Sequence, residues 1–512
     1  MLHIFYYLRK IRTEYPDMKK MHLRFWCLLA VLFSLASCDE TKPVDPEPEK
    51  SDKAAMLKLS FNTSDNPGMA SNSTGVTANG YYCISITEGL DRAKLVPDLQ
   101  VSDKASAFID GKPYTPGQAY DFSGNIQTVK VVSESGNKTN TYNILVKYGI
   151  PYIDNKVYQF MNDFSIPGVS ISIMKGTKVM YSSGFGFANS VAQTRVTPDH
   201  LFRMASISKQ FCTMCIMTLK EQGKLKLDDK VFGPGGILDG KFTNLAPFHE
   251  AITVRHLLSH SSGICNGLGD PAFSNSYRLF SNGEPVPTDT LIQRTINNRQ
   301  TPYTSSGTTY YPGAAYSYSN VGFCVLHRIV EVLSGKDYEK FLKEDVLAKM
   351  GITDTHIGGY QNERRDNECI YYSQGGGDGY KNPLRELAGA AGIITSTNQM
   401  MKILTYMDGD DSVPDIFTPE TLADMYTPTK YEASTYNRYG LGWRMNHSYL
   451  FPGSHYHGGN IAGTATLWVG NTNQHMSGAF VCNSRAYNSN ATGDIDDNLY
   501  VLLDEFLNYF NY

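Results

Sequence analysis

The chain has 512 residues, more than one ordinary domain holds, and 41% of them are hydrophobic against 19% charged, so most of its length can bury a core. Its 46 Lys+Arg against 50 Asp+Glu give a net charge of −4; setting residues 1–37 aside removes six basic and two acidic residues and leaves 40 against 48, or −8. Such a balance excludes general electrostatic binding to nucleic acid.

Met18-Lys19-Lys20 opens a basic segment, followed by an apolar run from Phe25 to Leu35 that is too short to span a bilayer as a helix. The run ends in Leu35-Ala36-Ser37-Cys38, which resembles a bacterial lipobox. Residues 1–37 therefore read as a lipoprotein signal peptide with Met18 or Met21 as initiator, and Cys38 as the lipidated new N-terminus. Residues 38–54 are acidic and Pro-rich, as a solvated tether would be. This predicts a cell-envelope protein held on a membrane by a lipid anchor. Of nine cysteines, seven remain once Cys27 and Cys38 are set aside, an odd and scattered set that makes no disulfide framework. Cys212 and Cys215 have CxxC spacing but lie in an apolar, helix-like run, which predicts buried structural thiols.

Residues 55–149 alternate in short runs with turn signals between them: Leu57, Leu59 and Phe61, then Tyr142, Ile144, Val146 and Tyr148. Ser135-Gly136-Asn137 would turn the chain between strands at Gln127–Ser133 and Thr139–Lys147. The pattern predicts a small antiparallel β-sandwich that resembles Ig-like modules and carries no cluster suggesting chemistry. From 150 to 512 strands and helices mix: a hairpin at 169–184, helices at about 206–223 and 320–333, strands at 464–470 and 477–482, and a closing helix at 494–510. Strands at both ends with helices between predict an α+β fold, an antiparallel sheet flanked by helices.

Within this part stands Ser206-Ile207-Ser208-Lys209, where i and i+3 share a helix face and a lysine can reach a serine hydroxyl. A serine is a weak nucleophile until a base takes its proton, and a buried lysine can supply that base. The bare pattern decides nothing, since another SxxK lies at Ser135–Lys138, further YxN triplets start at Tyr360, Tyr380 and Tyr509, and KxG recurs at Lys147 and Lys349.

Order and context decide. Phe202-Arg203-Met204-Ala205 leads into Ser206, and Gln222-Gly223-Lys224-Leu225-Lys226-Leu227-Asp228-Asp229 follows. Next come Ile252-Thr253-Val254-Arg255-His256-Leu257-Leu258-Ser259-His260-Ser261-Ser262-Gly263, then Pro312-Gly313, Tyr318-Ser319-Asn320 and Gly322. Ala391-Gly392-Ile393-Ile394-Thr395-Ser396-Thr397, Tyr439-Gly440-Leu441-Gly442-Trp443 and His457-Gly458-Gly459 complete the series. Residues 150–512 thereby resemble the penicillin-recognising serine hydrolases, in the branch of class C β-lactamases, DD-carboxypeptidases, D-aminopeptidases and serine esterases.

The resemblance implies a β-lactamase/transpeptidase-like fold with an all-α subdomain, and a small-molecule or peptide substrate without metal or organic cofactor. It implies Ser206 as acylated nucleophile, Lys209 and Tyr318 sharing the proton transfers, and Asn320 bonding Lys209 and the substrate. The backbone N–H groups of Ser206 and Asn460 would form the oxyanion hole, with His457, Gly458 and Gly459 along the substrate. His457 stands where class C β-lactamases carry Lys, either cationic or donating one hydrogen bond, and Gly458 lacks the carboxylate-binding hydroxyl of their Thr. That weakens the case for β-lactam hydrolysis. The function expected is hydrolysis of an amide or ester, with DD-carboxypeptidase or β-lactamase as alternatives, and a non-catalytic envelope binding protein as a third reading. His256 and His260 read as structural, Trp443 and Tyr439 as packing at a sheet edge, and Gly375-Gly376-Gly377 as a loop with no phosphate site. Residues 265–315 read as an insertion walling the cleft.

Overall fold

Along Thr139–Tyr148 successive side chains face opposite ways, and both faces are buried: Ile144 and Val146 enter one apolar core while Leu145 enters another. That strand joins an N-terminal β-structure to everything after it. The computed structural model describes residues 49–374, 378–380, 382–410, 412–430, 438–485 and 494–511. The signal segment with Cys38 and the Gly375–Gly377 run fall outside them. Residues 52–512 form one compact unit.

The N-terminal β-structure has a three-stranded sheet, ordered Ser73–Thr74, Met56–Phe61, Pro97–Val101, and a six-stranded one. The larger sheet runs Val76–Ala78, Tyr81–Ile86, Thr139–Tyr148, Gln127–Val132, Ser106–Ile109, Lys112–Pro113. It is not wholly antiparallel, as the alternation suggested, because Tyr81–Ile86 and Thr139–Tyr148 pair in parallel. Alternation reports faces and not strand direction, and this pairing spans a long stretch of chain. A bulge between Met56 and Lys58 also breaks the expected register, leaving Leu57 66% exposed while Leu59 and Phe61 are buried. The expected tether ends early: Ser135 Oγ donates to Asp52 Oδ1 at 2.5 Å, and Asn140 Nδ2 donates to the carbonyl of Ala54 at 2.9 Å.

The second half is built on an eight-stranded antiparallel sheet, ordered Thr194–Arg195, Lys178–Asn189, Gly168–Lys175, Met476–Cys482, Thr464–Asn471, His455–Ile461, Arg444–Met445, Arg438–Tyr439. Val169, Ile171, Leu467, Val469 and Phe480 face one way, against the helices Pro151–Asp163 and Ile495–Asn511. Trp468, Ala479 and Val481 face the other way, into a core with the helices Ser208–Glu221 and Asn320–Ser334. The expected helices and strands form within a few residues of their predicted ends, and Gly335 closes the second of these helices with φ +68°. All seven cysteines from Cys83 to Cys482 are buried free thiols, and burial pushes Cys212 up to about 12.

A buried ion pair locks the two halves together. Asp154 is fully buried on the helix Pro151–Asp163, and Lys147 Nζ lies 3.4 Å from its Oδ2. Ser85 Oγ donates to Oδ2 at 2.5 Å and Tyr181 Oη donates to Oδ1. Lys147 also donates to Ser183 Oγ at 2.5 Å and the carbonyl of Gly184 at 3.2 Å, and its ammonium sits 3.5 Å from the Phe185 ring centre. Gly149 makes room, since a Cβ there would meet Asp154 Oδ2 at 2.0 Å. Removing one partner leaves the other charge buried and uncompensated. Asp154→Ala should therefore lower the unfolding free energy by about 3–5 kcal/mol in denaturant titration, and a loss below about 1 kcal/mol would contradict the clasp.

Candidate active site

Ser206 lies in a short 3₁₀ turn, Ala205–Ile207, that runs directly into the helix Ser208–Glu221. Ala205 holds φ +48°, a left-handed conformation that costs a side chain about 1–3 kcal/mol. The turn thus lifts Ser206 half-clear of the core while Lys209, three residues on, is fully buried. The second SxxK, Ser135–Lys138, sits in a tight turn with an exposed lysine.

Three oxygens surround Lys209 Nζ: Ser206 Oγ at 3.2 Å, Asn320 Oδ1 at 2.6 Å and the Ala390 carbonyl at 2.9 Å. Burial brings the lysine down to about 7, against the opposing pull of Asp270. In its neutral form an amine has two N–H donors and one lone pair. Asn320 Oδ1 and the Ala390 carbonyl can only accept, so they take both donors and the lone pair is left for the Ser206 hydroxyl. Burial pushes the Tyr318 phenol well up, against the opposing influence of Ser206, so it stays protonated at neutral pH. The Lys209 ammonium lies 4.8 Å from the Tyr318 ring centre.

Asn320 opens the helix Asn320–Ser334, whose N-cap Ser319 accepts from the Gly322 N–H at 3.0 Å. Asn320 Nδ2 donates to Asp270 Oδ2 at 2.5 Å. Gly459 lets the strand His455–Ile461 close on the Ser206 turn: a Cβ there would meet the Met204 carbonyl at 2.3 Å and Ser206 N at 3.1 Å. Thr466 Oγ1 ties the same place together, donating to the carbonyls of Met204 at 3.2 Å and Gly459 at 3.1 Å. Asn460 follows on that strand, its Nδ2 donating to Asp496.

His457 is buried and sits at the end of a hydrogen-bond chain with one direction. The Ser319 N–H donates to His260 Nδ1 at 3.0 Å, which leaves His260 Nε2–H for Tyr439 Oη at 3.1 Å. The Tyr439 O–H then serves His457 Nε2 at 3.1 Å, and His457 Nδ1–H serves the Gly458 carbonyl at 2.6 Å. Both histidines are held well below the usual range, by burial first and then by neighbouring cations, Lys209 among them. For His457 burial and the neighbouring cations disfavour the cationic role, and in this chain its Nε2 accepts while its Nδ1–H donates.

Arg444 and Asp270 were not singled out from sequence. Arg444 is half-buried on the strand beside His455–Ile461, with its guanidinium 5.8 Å from the Tyr318 ring centre and 5.9 Å from that of Tyr439. A cation next to Trp443 in an apolar landmark was the available signal. Asp270 had none, because no landmark falls between Gly263 and Pro312. That stretch carries the helices Asn275–Arg278 and Thr288–Asn298 and a hairpin, Thr304–Ser305 with Thr308–Thr309. Trp443 does pack, against Trp468 and His455 at 5.2 and 5.0 Å between ring centres. His256 accepts from the Thr253 N–H at 3.2 Å and caps its own helix. Among the described residues no cluster of His, Cys, Asp or Glu is arranged to hold a metal, and no helix is long and apolar enough to cross a membrane.

The neutral histidines make a pH prediction. An unfolded chain protonates them near 6.5 and the native one does not, so stability is present above that pH and falls below it. Imidazole resonances of His260 and His457 should stay neutral from pH 8 to 5.5 while unfolding midpoints drop; a protonated His457 at pH 6 would contradict the chain.

The family model described as Beta-lactamase matches residues 153–502. Penicillin-binding protein 4* of Bacillus subtilis is 29% identical over 206 residues, 39% of this chain, and the match takes in 40% of that protein's length. A putative D-alanyl-D-alanine carboxypeptidase of Escherichia coli O157:H7 is 24% identical over 337 residues, 56% of this chain and 69% of that one. Among solved structures, the octameric penicillin-binding protein homologue from Pyrococcus abyssi shares 26% identity and a TM-score of 0.57, over 70% of this chain and 77% of its own. The matched residues contain the eight-stranded sheet, the helices Ser208–Glu221 and Asn320–Ser334 and every site residue from Ser206 to Asn460, and the chain belongs to the Beta-lactamase family of serine hydrolases.

Proposed function

We propose that this chain hydrolyses an amide or ester bond in a small peptide-like substrate through an acyl-enzyme on Ser206. The observation that carries the reading is Lys209 Nζ at 3.2 Å from Ser206 Oγ with two pure acceptors as its other partners, an arrangement in which the neutral amine would turn its lone pair to the serine hydroxyl. Burial brings the lysine down to about 7, which makes the neutral base accessible at neutral pH. Ser206 gives its proton to Lys209 Nζ as its oxygen attacks the carbonyl carbon. The developing oxyanion would lie between the backbone N–H groups of Ser206 and Asn460, in the gap that Gly459 keeps narrow. Tyr318, a protonated phenol beside Lys209, would donate to the departing nitrogen or oxygen and be refilled from Lys209. Water then repeats the sequence on the acyl-enzyme and frees Ser206.

Arg444 supports a substrate with an anionic leaving group. Among the described residues no carboxylate pairs with it, and its guanidinium lies 5.8 Å from the ring centre of Tyr318. A guanidinium holds a carboxylate by two parallel hydrogen bonds, which restores the recognition that Gly458 cannot provide. This favours cleavage next to a free C-terminal residue, as in a carboxypeptidase, over cleavage of neutral esters. Penicillins carry a carboxylate in the same relation to their reactive carbonyl, so acylation by them fits the reading too. How fast the adduct clears separates peptidase from β-lactamase. We also infer a lipid anchor at Cys38, supported by the apolar run and Leu35-Ala36-Ser37 before it.

Ser206→Ala should lose hydrolytic activity by about a thousandfold or more, and full retention would end the proposal. Arg444→Ala should reduce kcat/KM about tenfold for a substrate with a free C-terminal carboxylate, and much less for its C-terminal amide. Equal losses on the two substrates would remove the anionic leaving group from the account.

A further inference from the structure

Asp270 reaches the site from residues 265–315, which otherwise only border it. Its Oδ1 accepts from the Ala272 N–H at 3.2 Å, and Pro271 stiffens the turn between them. Its Oδ2 takes the Asn320 amide at 2.5 Å, while the oxygen of that amide takes Lys209 at 2.6 Å. The amide can stand only one way. Turned over, it would set an NH₂ group against the lysine and a carbonyl against the carboxylate, repulsive on both sides.

We propose that Asp270 is a positioning residue for acylation: it locks the Asn320 amide with its oxygen toward Lys209 and sets an anion against that lysine. The proposal rests on the acyl-enzyme reading above. Other groups facing Lys209 cannot replace it. Cys212 and Cys324 are buried thiols pushed up by burial, Tyr318 is a protonated phenol, and His260 and His457 are neutral. Arg444 acts in the opposite sense, favouring the uncharged amine. Asp270 keeps exposed surface, yet burial raises its carboxyl group above the ordinary value, with the Asn320 amide and Lys209 pulling it back toward the charged form. Its charge opposes the burial that discharges Lys209, and losing it would let the lysine give up its proton at lower pH.

The test is kcat/KM for p-nitrophenyl acetate from pH 5 to 9, measured on the wild-type chain, Asp270→Asn and Ser206→Ala. This ester has an activated leaving group and no carboxylate, so the acid limb reports the free enzyme's base. In Asp270→Asn the limb should move to lower pH by about half to one unit, with KM unchanged within about twofold. The variant would then keep a larger share of its plateau rate at pH 6 than the wild type does. An unmoved limb, or one displaced to higher pH, overturns the positioning role. A raised KM with an unmoved limb makes Asp270 a substrate contact and overturns it equally. Full activity in Ser206→Ala would instead overturn the acyl-enzyme reading, and this proposal with it.

Discussion

Lys209 has no exposed surface, and its nitrogen is enclosed by a hydroxyl, an amide oxygen and a backbone carbonyl. A lysine so placed can remain only where its charge is both discouraged by burial and tolerated by acceptors, and much of the molecule serves that balance. The helix Ser208–Glu221 carries it beneath the serine, and the helix Asn320–Ser334 brings the amide. The short helix Ala388–Ala391 offers the carbonyl of Ala390. Here the same burial that costs stability prepares the base.

The sheet supplies the opposing wall. Gly459 brings the strand His455–Ile461 against the Ser206 turn, and Thr466 pins both from the next strand. The third motif contributes a neutral imidazole, fixed by a chain whose ends are a backbone N–H and a backbone carbonyl. In the proposed function, cationic recognition would fall to Arg444 one strand away. Charge and shape, which a single Lys-Thr pair can combine, are here divided between neighbouring strands.

Local spacing was the most legible part of the sequence. Ser206 and Lys209 are three apart at a helix start, Gly335 follows the last helical residue, and Val169, Ile171 and Ile173 alternate, so each element could be read from its own residues. The order of landmarks carried the family. Partners brought together from distant segments could not be read. Asp270 lies 50 residues before Asn320 and in no motif. The parallel pairing of Tyr81–Ile86 with Thr139–Tyr148 depends on which strands meet across a long stretch of chain. Lys147 was legible only as a chance KxG and is the buried clasp to Asp154. Tyr439 was legible as packing, which it does, but its hydroxyl between His260 and His457 appears only when three segments are folded. Burial decides protonation at these positions, and burial is a property of the fold.

The central claim is that Ser206 becomes acylated. Intact mass of purified residues 39–512, followed over time after adding benzylpenicillin, tests it most directly, with Ser206→Ala in parallel. The account predicts a mass increase of one drug molecule on the wild type and none on the variant. An adduct that persists points to a peptidase, and one that clears while the drug is consumed points to a β-lactamase. Equal labelling of wild type and Ser206→Ala, or no labelling of a wild type shown to be folded, would contradict it.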